Sequence, residues 1–284
     1  IGLYSEMFRY PIFNKKTFRS EKAEYIDWFK IRIAQWPMWS INMAHSNHLL
    51  SGIKKEGVQS LKSISYNDVI SFYESYYQPQ NIQLMIVGDY NIGYMKSLLN
   101  KYFGDWNNSP NIKHQKKYHQ KKSEGIIVRF IENPELTKAH ITITMPGVSP
   151  QNDDVYSLNL IREILGSGWN SRFYKNIETI NNRYDIFFYA RSSSNYSGTY
   201  MGFECKYLNL EKTYQSMLFE IENIKKNNIT DQELFAAKSD RIGSIIMNFE
   251  DPIDYTHYIL EDLHSGFTLD QIKQESIKYA SISL

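Results

Sequence analysis

Residues 64–106 read ISYNDVISFYESYYQPQNIQLMIVGDYNIGYMKSLLNKYFGDW, and this stretch predicts a helix, a strand and a second helix in that order. Ser65 and Asp68 have the spacing of a capping box, which closes the first turn of a helix. Apolar residues then recur at helical spacing, and Pro79 ends the segment. The apolar run 82–87 predicts a short strand, because a Gly-Asp turn closes it before helical periodicity returns.

Composition limits the class of protein. The chain has 284 residues, which is room for one large domain or two ordinary ones, and 42% hydrophobic content is typical of a globular protein. A net charge of +1 argues against a nucleic-acid partner, and no apolar stretch is long enough to span a membrane. Cys205 is the only cysteine, so no intrachain disulfide can form, and we expect it to be a packed strand residue.

The sequence contains a weak internal repeat. FRSEKAEYIDWFKIRIAQWPMWSINMAHSNHLLSG (18–52) resembles ELFAAKSDRIGSIIMNFEDPIDYTHYILEDLHSG (233–266). Pro37 and Pro252 are separated by 215 positions, and the Ser-Gly pair that ends each segment is separated by 214. Two copies of one fold are therefore expected. The same spacing predicts that roughly 90 residues precede this chain and roughly 40 follow it in a longer polypeptide.

Turn-rich and lysine-rich residues divide the chain into two halves. We expect the end of a first domain over residues 1–110, a linker over 111–124, and a second domain over 125–284. The patterns of the second domain predict strands over 125–131, 140–145, 184–190 and 199–206, and helices over 153–165, 210–226, 231–249 and 253–264.

Three motifs of the first half, in this order, resemble the insulinase/pitrilysin family of zinc peptidases: FYESYYQPQN (72–81), LMIVGD (84–89) and YFGDW (102–106). In the second half, SRFY (171–174) and ITDQEL (229–234) resemble the non-catalytic domain of that family. The resemblance implies an α+β fold with two homologous domains, each an antiparallel-rich sheet with helices packed on one face. Together they would enclose a chamber for an extended peptide.

The chemistry of that family requires a zinc ion held by a His-x-x-Glu-His helix and a downstream Glu. The two-histidine motif does not occur in these 284 residues, and the resemblance places it upstream of them. The third-ligand position, seven residues after Glu21, falls on Trp28, whose indole cannot bind zinc. Glu21 remains a candidate for supporting a metal site, and a register shift of one residue would bring Asp27 to the ligand position. We therefore expect no cofactor in this chain, and zinc only if the upstream motif is intact.

The family resemblance also implies two substrate-binding positions in the second domain. In the family, an Arg and a Tyr there hold the substrate backbone. Glu178 stands at the expected Arg position, and Tyr184 is the candidate for the Tyr, with a packed strand aromatic as the alternative. His45 and His48 have a spacing that metal sites use, but surface histidines explain the pair equally simply.

Three functions remain open. The first is a non-catalytic partner or half that shapes a peptide-binding chamber, and catalytic residues are then absent from this chain. The second is an active zinc endopeptidase whose metal motif lies upstream. The third is a structural subunit that keeps only the fold. The expected partners are a peptide substrate and a homologous peptidase subunit, in a homodimer or heterodimer.

Overall fold

The computed structural model describes residues 1–35, 57–107, 125, 126, 128, 130, 137–178, 186–193, 197–226 and 229–284. These residues are mostly helical, with one small antiparallel sheet. They divide into two compact units, one formed by residues 1–35 and 57–107 and the other by the described residues from 125 onward. None of the helices in this described part is both long and apolar enough to cross a membrane.

The first unit is helical throughout its described residues. Its helices are α1 (Gly2–Arg9), α2 (Lys15–Gln35), α3 (Gly57–Ser63), α4 (Tyr66–Tyr76) and α5 (Ile92–Phe103). The capping box at the start of α4 is confirmed, because Ser65 accepts a hydrogen bond from the Asp68 N–H and Asp68 accepts one from the Ser65 N–H. Pro79 begins a single 3₁₀ turn after α4, so the predicted end of that helix is also confirmed.

Side-chain hydrogen bonds to backbone carbonyls connect the helices of the first unit. The carbonyl oxygen of Tyr102, near the end of α5, accepts bonds from Ser5 Oγ at 2.7 Å and from Arg9 Nη1 at 2.6 Å. The hydroxyl of Tyr73 on α4 donates to the carbonyl of Phe8 at 2.6 Å. Lys22 Nζ on α2 donates to the carbonyl oxygens of Lys62, in the last turn of α3, and Ile64, just after that helix. Polar contacts of this kind help to hold the helices together, because no apolar side chain described in this unit is fully buried.

The strand expected over Ile82–Val87 is not formed, and that prediction is wrong for the described structure. The segment follows the 3₁₀ turn with extended backbone at Ile82, but it pairs with no other described strand. Leu84 and Val87 remain exposed. The physical reason is that a strand is stabilised by its neighbours rather than by its own sequence, so an apolar run without a partner cannot join a ladder.

The second unit contains the sheet. Its strands are β1 (Ala139–Pro146), β2 (Ile186–Arg191) and β3 (Gly198–Cys205), in the order β1-β3-β2 with antiparallel pairing throughout. The three predicted strands in these regions are thus confirmed to within two residues at each end. The fourth predicted strand, 125–131, is not found at its described positions, which are exposed and irregular, and its other residues lie outside the described part.

The described residues of this unit form five α-helices besides the sheet: α6 (Asp154–Gly166), α7 (Leu210–Lys225), α8 (Asp231–Met247), α9 (Pro252–Ser265) and α10 (Leu269–Ser281). A π-helical turn, Tyr174–Glu178, lies between α6 and β2. Helix α8 begins with a capping box of Thr230 and Glu233. Asp251 caps the N-terminus of α9, and Gly266, in the left-handed region, caps its C-terminus.

Two apolar clusters stabilise the second unit. The first lies between the sheet and the helices, and its fully buried members include Phe173, Ile177, Phe203 and Met217. Cys205 belongs to it and is 0% exposed; burial raises the pKa of its thiol, so the prediction of a packed residue is confirmed. The second cluster joins α6, α8 and α10. One face of the sheet is therefore covered by helices.

Candidate functional site

Helix α2 carries the positions that the family resemblance connects with a zinc site. Glu21 and Trp28 are seven residues apart, so their side chains leave the helix within about 20° of each other. Trp28 is 46% exposed, and its ring lies 5.4 Å from that of Tyr25. An indole N–H is a hydrogen-bond donor only and offers no lone pair to a metal ion.

The neighbouring carboxylate of Asp27 is already engaged. Its Oδ1 lies 2.8 Å from Lys30 Nζ, one helical turn later. Asp27 also leaves the helix about 100° away from Trp28. The side chain that a one-residue register shift would supply is thus paired with a cation on another face of α2.

Glu21 borders an apolar groove of about 530 Å³ in the first unit. The groove lies between α2 and the segment from α3 to α4, and its walls include aromatic and aliphatic side chains of Phe13, Phe18, Tyr25, Leu61, Ile64, Tyr66 and Val69. Phe18 and Tyr66 meet edge to face at 5.8 Å. Only a few polar groups line this groove, which is consistent with binding apolar side chains and does not resemble a cage of metal ligands.

The residues described do not fit a zinc ion. Across the described part of the chain, no group of three or more His, Cys, Asp or Glu side chains is arranged to hold a metal. His140 faces Glu204 on the neighbouring strand, with 3.3 Å between Nδ1 and Oε2, which is a sheet contact. His45, His48 and Tyr184, which sequence analysis considered, lie outside the described residues.

The SRFY motif (171–174) contributes to a charged cluster that the sequence did not predict. Arg172 binds Glu233 through two parallel hydrogen bonds, with Nε–Oε1 at 2.7 Å and Nη2–Oε2 at 2.8 Å. The Arg172 guanidinium holds the pKa of Glu233 at about 2, well below the ordinary value for glutamate. Its Nη1 also lies 3.7 Å from the buried carboxylate of Glu220, to which Asn176 donates at 2.7 Å.

This cluster has a structural role. It joins the π-helical turn and the residues just before it to the start of α8 and to α7. Phe173, which precedes the turn, and Ile177, within it, are 0% exposed in the core. The family motif drew attention to Arg172, but its ion pairs could not be predicted from the sequence. Its partners Glu220 and Glu233 lie 48 and 61 residues away. Glu178, which stands at the expected Arg position, ends this turn.

Comparisons with known proteins agree with this geometry. The sequence profile described as "Peptidase M16 inactive domain" matches residues 63–240. The chain is 23% identical over 210 residues to the uncharacterized zinc protease YmxG of Bacillus subtilis, a match that covers 72% of this chain and 49% of that protein. The chain therefore spans about half the length of this curated relative.

Solved structures share the fold. A protease from Helicobacter pylori superposes with a TM-score of 0.86 at 17% identity, over 99% of this chain and 70% of that one. A peptidase M16 inactive domain from Pseudomonas fluorescens gives a TM-score of 0.82 at 15% identity, over 99% and 68% of the two chains. The resemblance to insulinase-like zinc peptidases is thus confirmed, and the profile that matches most of the chain shows that it belongs to the peptidase M16 inactive-domain family.

Proposed function

We propose that this chain is part of the non-catalytic half of an M16-type peptidase and helps to form a chamber for an extended peptide. The observation that carries the proposal is Trp28, which occupies the position that the family resemblance gives to the third zinc ligand. The engaged carboxylate of Asp27 and the apolar surroundings of Glu21 support it, because neither provides a ready substitute ligand. Glu21 is then a residue of the groove wall.

We also propose that the whole polypeptide has two homologous domains, to which residues 1–110 and 125–284 contribute, with 111–124 as the linker. The division into two compact units is consistent with this. So is the helical conformation of α2, which contains the described part of the first repeated segment, and of α8 and α9, which contain most of the second. The partner that completes the active site is, in this proposal, a homologous subunit or half that carries its own zinc motif.

A second candidate function is an active zinc endopeptidase, and the name of the Bacillus subtilis relative as a zinc protease favours it. In that case the two histidines lie elsewhere in the polypeptide and the register around Trp28 shifts to Asp27. The two functions differ in zinc content and in the effect of removing a single carboxylate. A purely structural subunit differs from both, because it would bind no peptide.

The test uses the full-length polypeptide that contains this chain. Zinc is measured by elemental analysis after dialysis, and cleavage of a fluorogenic peptide library is measured alone, with a chelator, and with an active homologue added. We expect no tightly held zinc, no chelator-sensitive cleavage by the protein alone, and increased cleavage with the homologue. One zinc per chain, lost in Asp27→Asn but retained in the matched control Glu24→Gln, would refute the proposal and support the active enzyme.

A further inference from the structure

The corner between α8 and α9 carries four large apolar side chains that are exposed to solvent. Ile246 and Met247 end α8, Phe249 lies in the turn, and Ile253 lies in the first turn of α9. Their exposed fractions are 57%, 66%, 54% and 65%. Single exposed apolar residues are common on protein surfaces, but these four lie within eight consecutive positions, and we call them the corner patch. Patches of this kind typically mark an interaction site.

Hydrogen bonds and burial fix the shape of the corner. The Phe249 N–H donates to the carbonyl of Ile246 at 3.0 Å. Asp251 Oδ1 accepts a bond from the Ile253 N–H at 2.6 Å, which caps the start of α9. Ile245, directly before the patch, is 3% exposed and belongs to the second apolar cluster. The corner patch therefore has its shape before a partner binds, so little backbone entropy is lost on binding.

The charge around the corner patch is negative. Residues 242–272 include six Asp and Glu but no Lys or Arg, although the net charge of the chain is +1. Glu250 in the turn and Asp254 in the first turn of α9 are both exposed, and neither forms an ion pair with a described residue. Arg241, the basic residue that precedes this stretch, is bound to Glu275. The carboxylates beside the patch are thus not neutralised by the described part of the chain.

This charge decides between the possible occupants of the corner patch. An anionic membrane or a nucleic acid would be repelled by the carboxylates. A second copy that used the same patch across a twofold axis would bring the carboxylates of the two copies toward each other. A protein segment with both apolar and basic side chains would instead bury the patch and neutralise its charge.

We propose that the corner patch binds a partner protein through a basic segment, whose apolar side chains cover Met247 and Ile253 and whose Lys or Arg side chains pair with Glu250 and Asp254. Phe249, which lies between these residues in the sequence, is the aromatic anchor of the interface. The inference goes beyond the proposed function and does not depend on it.

The first test measures binding of a short fluorescein-labelled peptide of leucine and lysine to the full-length polypeptide by fluorescence anisotropy. Met247→Ser removes an exposed apolar side chain of the patch and is expected to weaken binding about tenfold. The matched control Phe219→Ser removes a side chain on α7 that is 63% exposed, and it should leave binding unchanged. Circular dichroism melting verifies that each variant is folded.

The second test concerns charge. Glu250→Gln is expected to weaken binding of the leucine–lysine peptide about threefold, while the control Glu24→Gln on α2 leaves it unchanged. Raising the salt concentration from about 50 mM to about 500 mM should weaken binding about tenfold, because the ions screen the pairs with Glu250 and Asp254. A peptide with glutamate in place of lysine is expected not to bind.

The third test asks whether the corner patch is open in the full-length polypeptide. Met247→Cys introduces a thiol at the patch, whereas Cys205 is 0% exposed. We expect the new thiol to react with a maleimide within minutes and the leucine–lysine peptide to slow this reaction. Protection of the thiol in the protein alone would show that another part of the polypeptide covers the patch, and the inference would be overturned.

Other results would also refute the inference. These are an absence of peptide binding, binding that Met247→Ser leaves unchanged, and binding that Phe219→Ser weakens as much as Met247→Ser does. A concentration-dependent dimer that Met247→Ser dissociates would assign the corner patch to a second copy. Displacement of the labelled peptide by a cleavable peptide substrate would assign the patch to substrate instead of a partner protein.

Discussion

The substitution Glu233→Gln tests whether the ion pair with Arg172 stabilises the second unit. A carboxyl group whose pKa falls from 4.5 to about 2 is stabilised in its charged form by about 3 kcal/mol. Because the Glu233 side chain is 30% exposed, solvent screens part of this energy, and we expect the substitution to lower the free energy of unfolding at pH 7 by about 2 kcal/mol. Glutamine keeps the capping-box geometry with Thr230, so the helix start is preserved.

The pH dependence of this loss in unfolding free energy shows whether it comes from the charge of Glu233 or from its packing. Between pH 4.5 and 2 the unfolded chain binds more protons at position 233 than the folded chain does, so the stabilisation by Glu233 falls as the pH falls through this window. Urea unfolding, followed by circular dichroism at several pH values from 7 to 3, measures the difference between wild type and variant. The difference should shrink toward low pH. The exposed residue Glu222, which pairs with Lys225, supplies the control, and Glu222→Gln should behave as wild type. An equal penalty at pH 7 and pH 3 would show that the reasoning about the ion pair is wrong.

Three further substitutions test the second unit by the same unfolding measurements. Burial and the neighbouring Glu275 raise the pKa of Asp262 to about 6. Its negative charge therefore destabilises the folded state above pH 6, and this effect disappears below the unfolded pKa near 4. Asp262→Asn should stabilise the protein by about 1–2 kcal/mol at pH 7 and by almost nothing at pH 4. Gly202→Ala should destabilise it by about 1–3 kcal/mol, because the new Cβ would lie 2.1 Å from the carbonyl oxygen of Ile141; an unchanged midpoint would mean that the strands are spaced more widely. Phe173→Ala removes a ring that is 0% exposed and should cost about 3–5 kcal/mol, and a cost below 1 kcal/mol would contradict its place in the core.

Local sequence signals predicted the elements that depend on local interactions. The capping pair Ser65 and Asp68 and the helix end near Gly166 were predictable, because each depends on groups within a few residues of one another. The failure at Ile82–Val87 has the opposite cause. Its apolar pattern indicates a strand, but the partner that would complete a ladder is not in the sequence nearby, and periodicity carries no information about distant pairing.

The candidate site also contains some features that the local sequence predicts and others that it does not. The placing of Trp28 at the ligand position came from spacing and family resemblance, and it stays a prediction. The engagement of Asp27 by Lys30 required helix geometry, although the spacing of three residues hinted at it. The Arg172 cluster could not be predicted from the sequence, because it depends on which helices become neighbours across long stretches of chain.

The hydrogen bonds that join α10 to α6 and to the residues before α6 have a consequence for synthesis and folding. Asn159 donates to the hydroxyl of Tyr279 across 120 residues, and Gln271 donates to the carbonyl of Pro150 across 121. Tyr279 is 0% exposed, so the cluster that it completes stays open until α10 has been made. A nascent chain released from the ribosome before α10 would expose the apolar surface of α6 and α8. We therefore expect the second unit to fold late during translation and to depend on chaperones until α10 emerges.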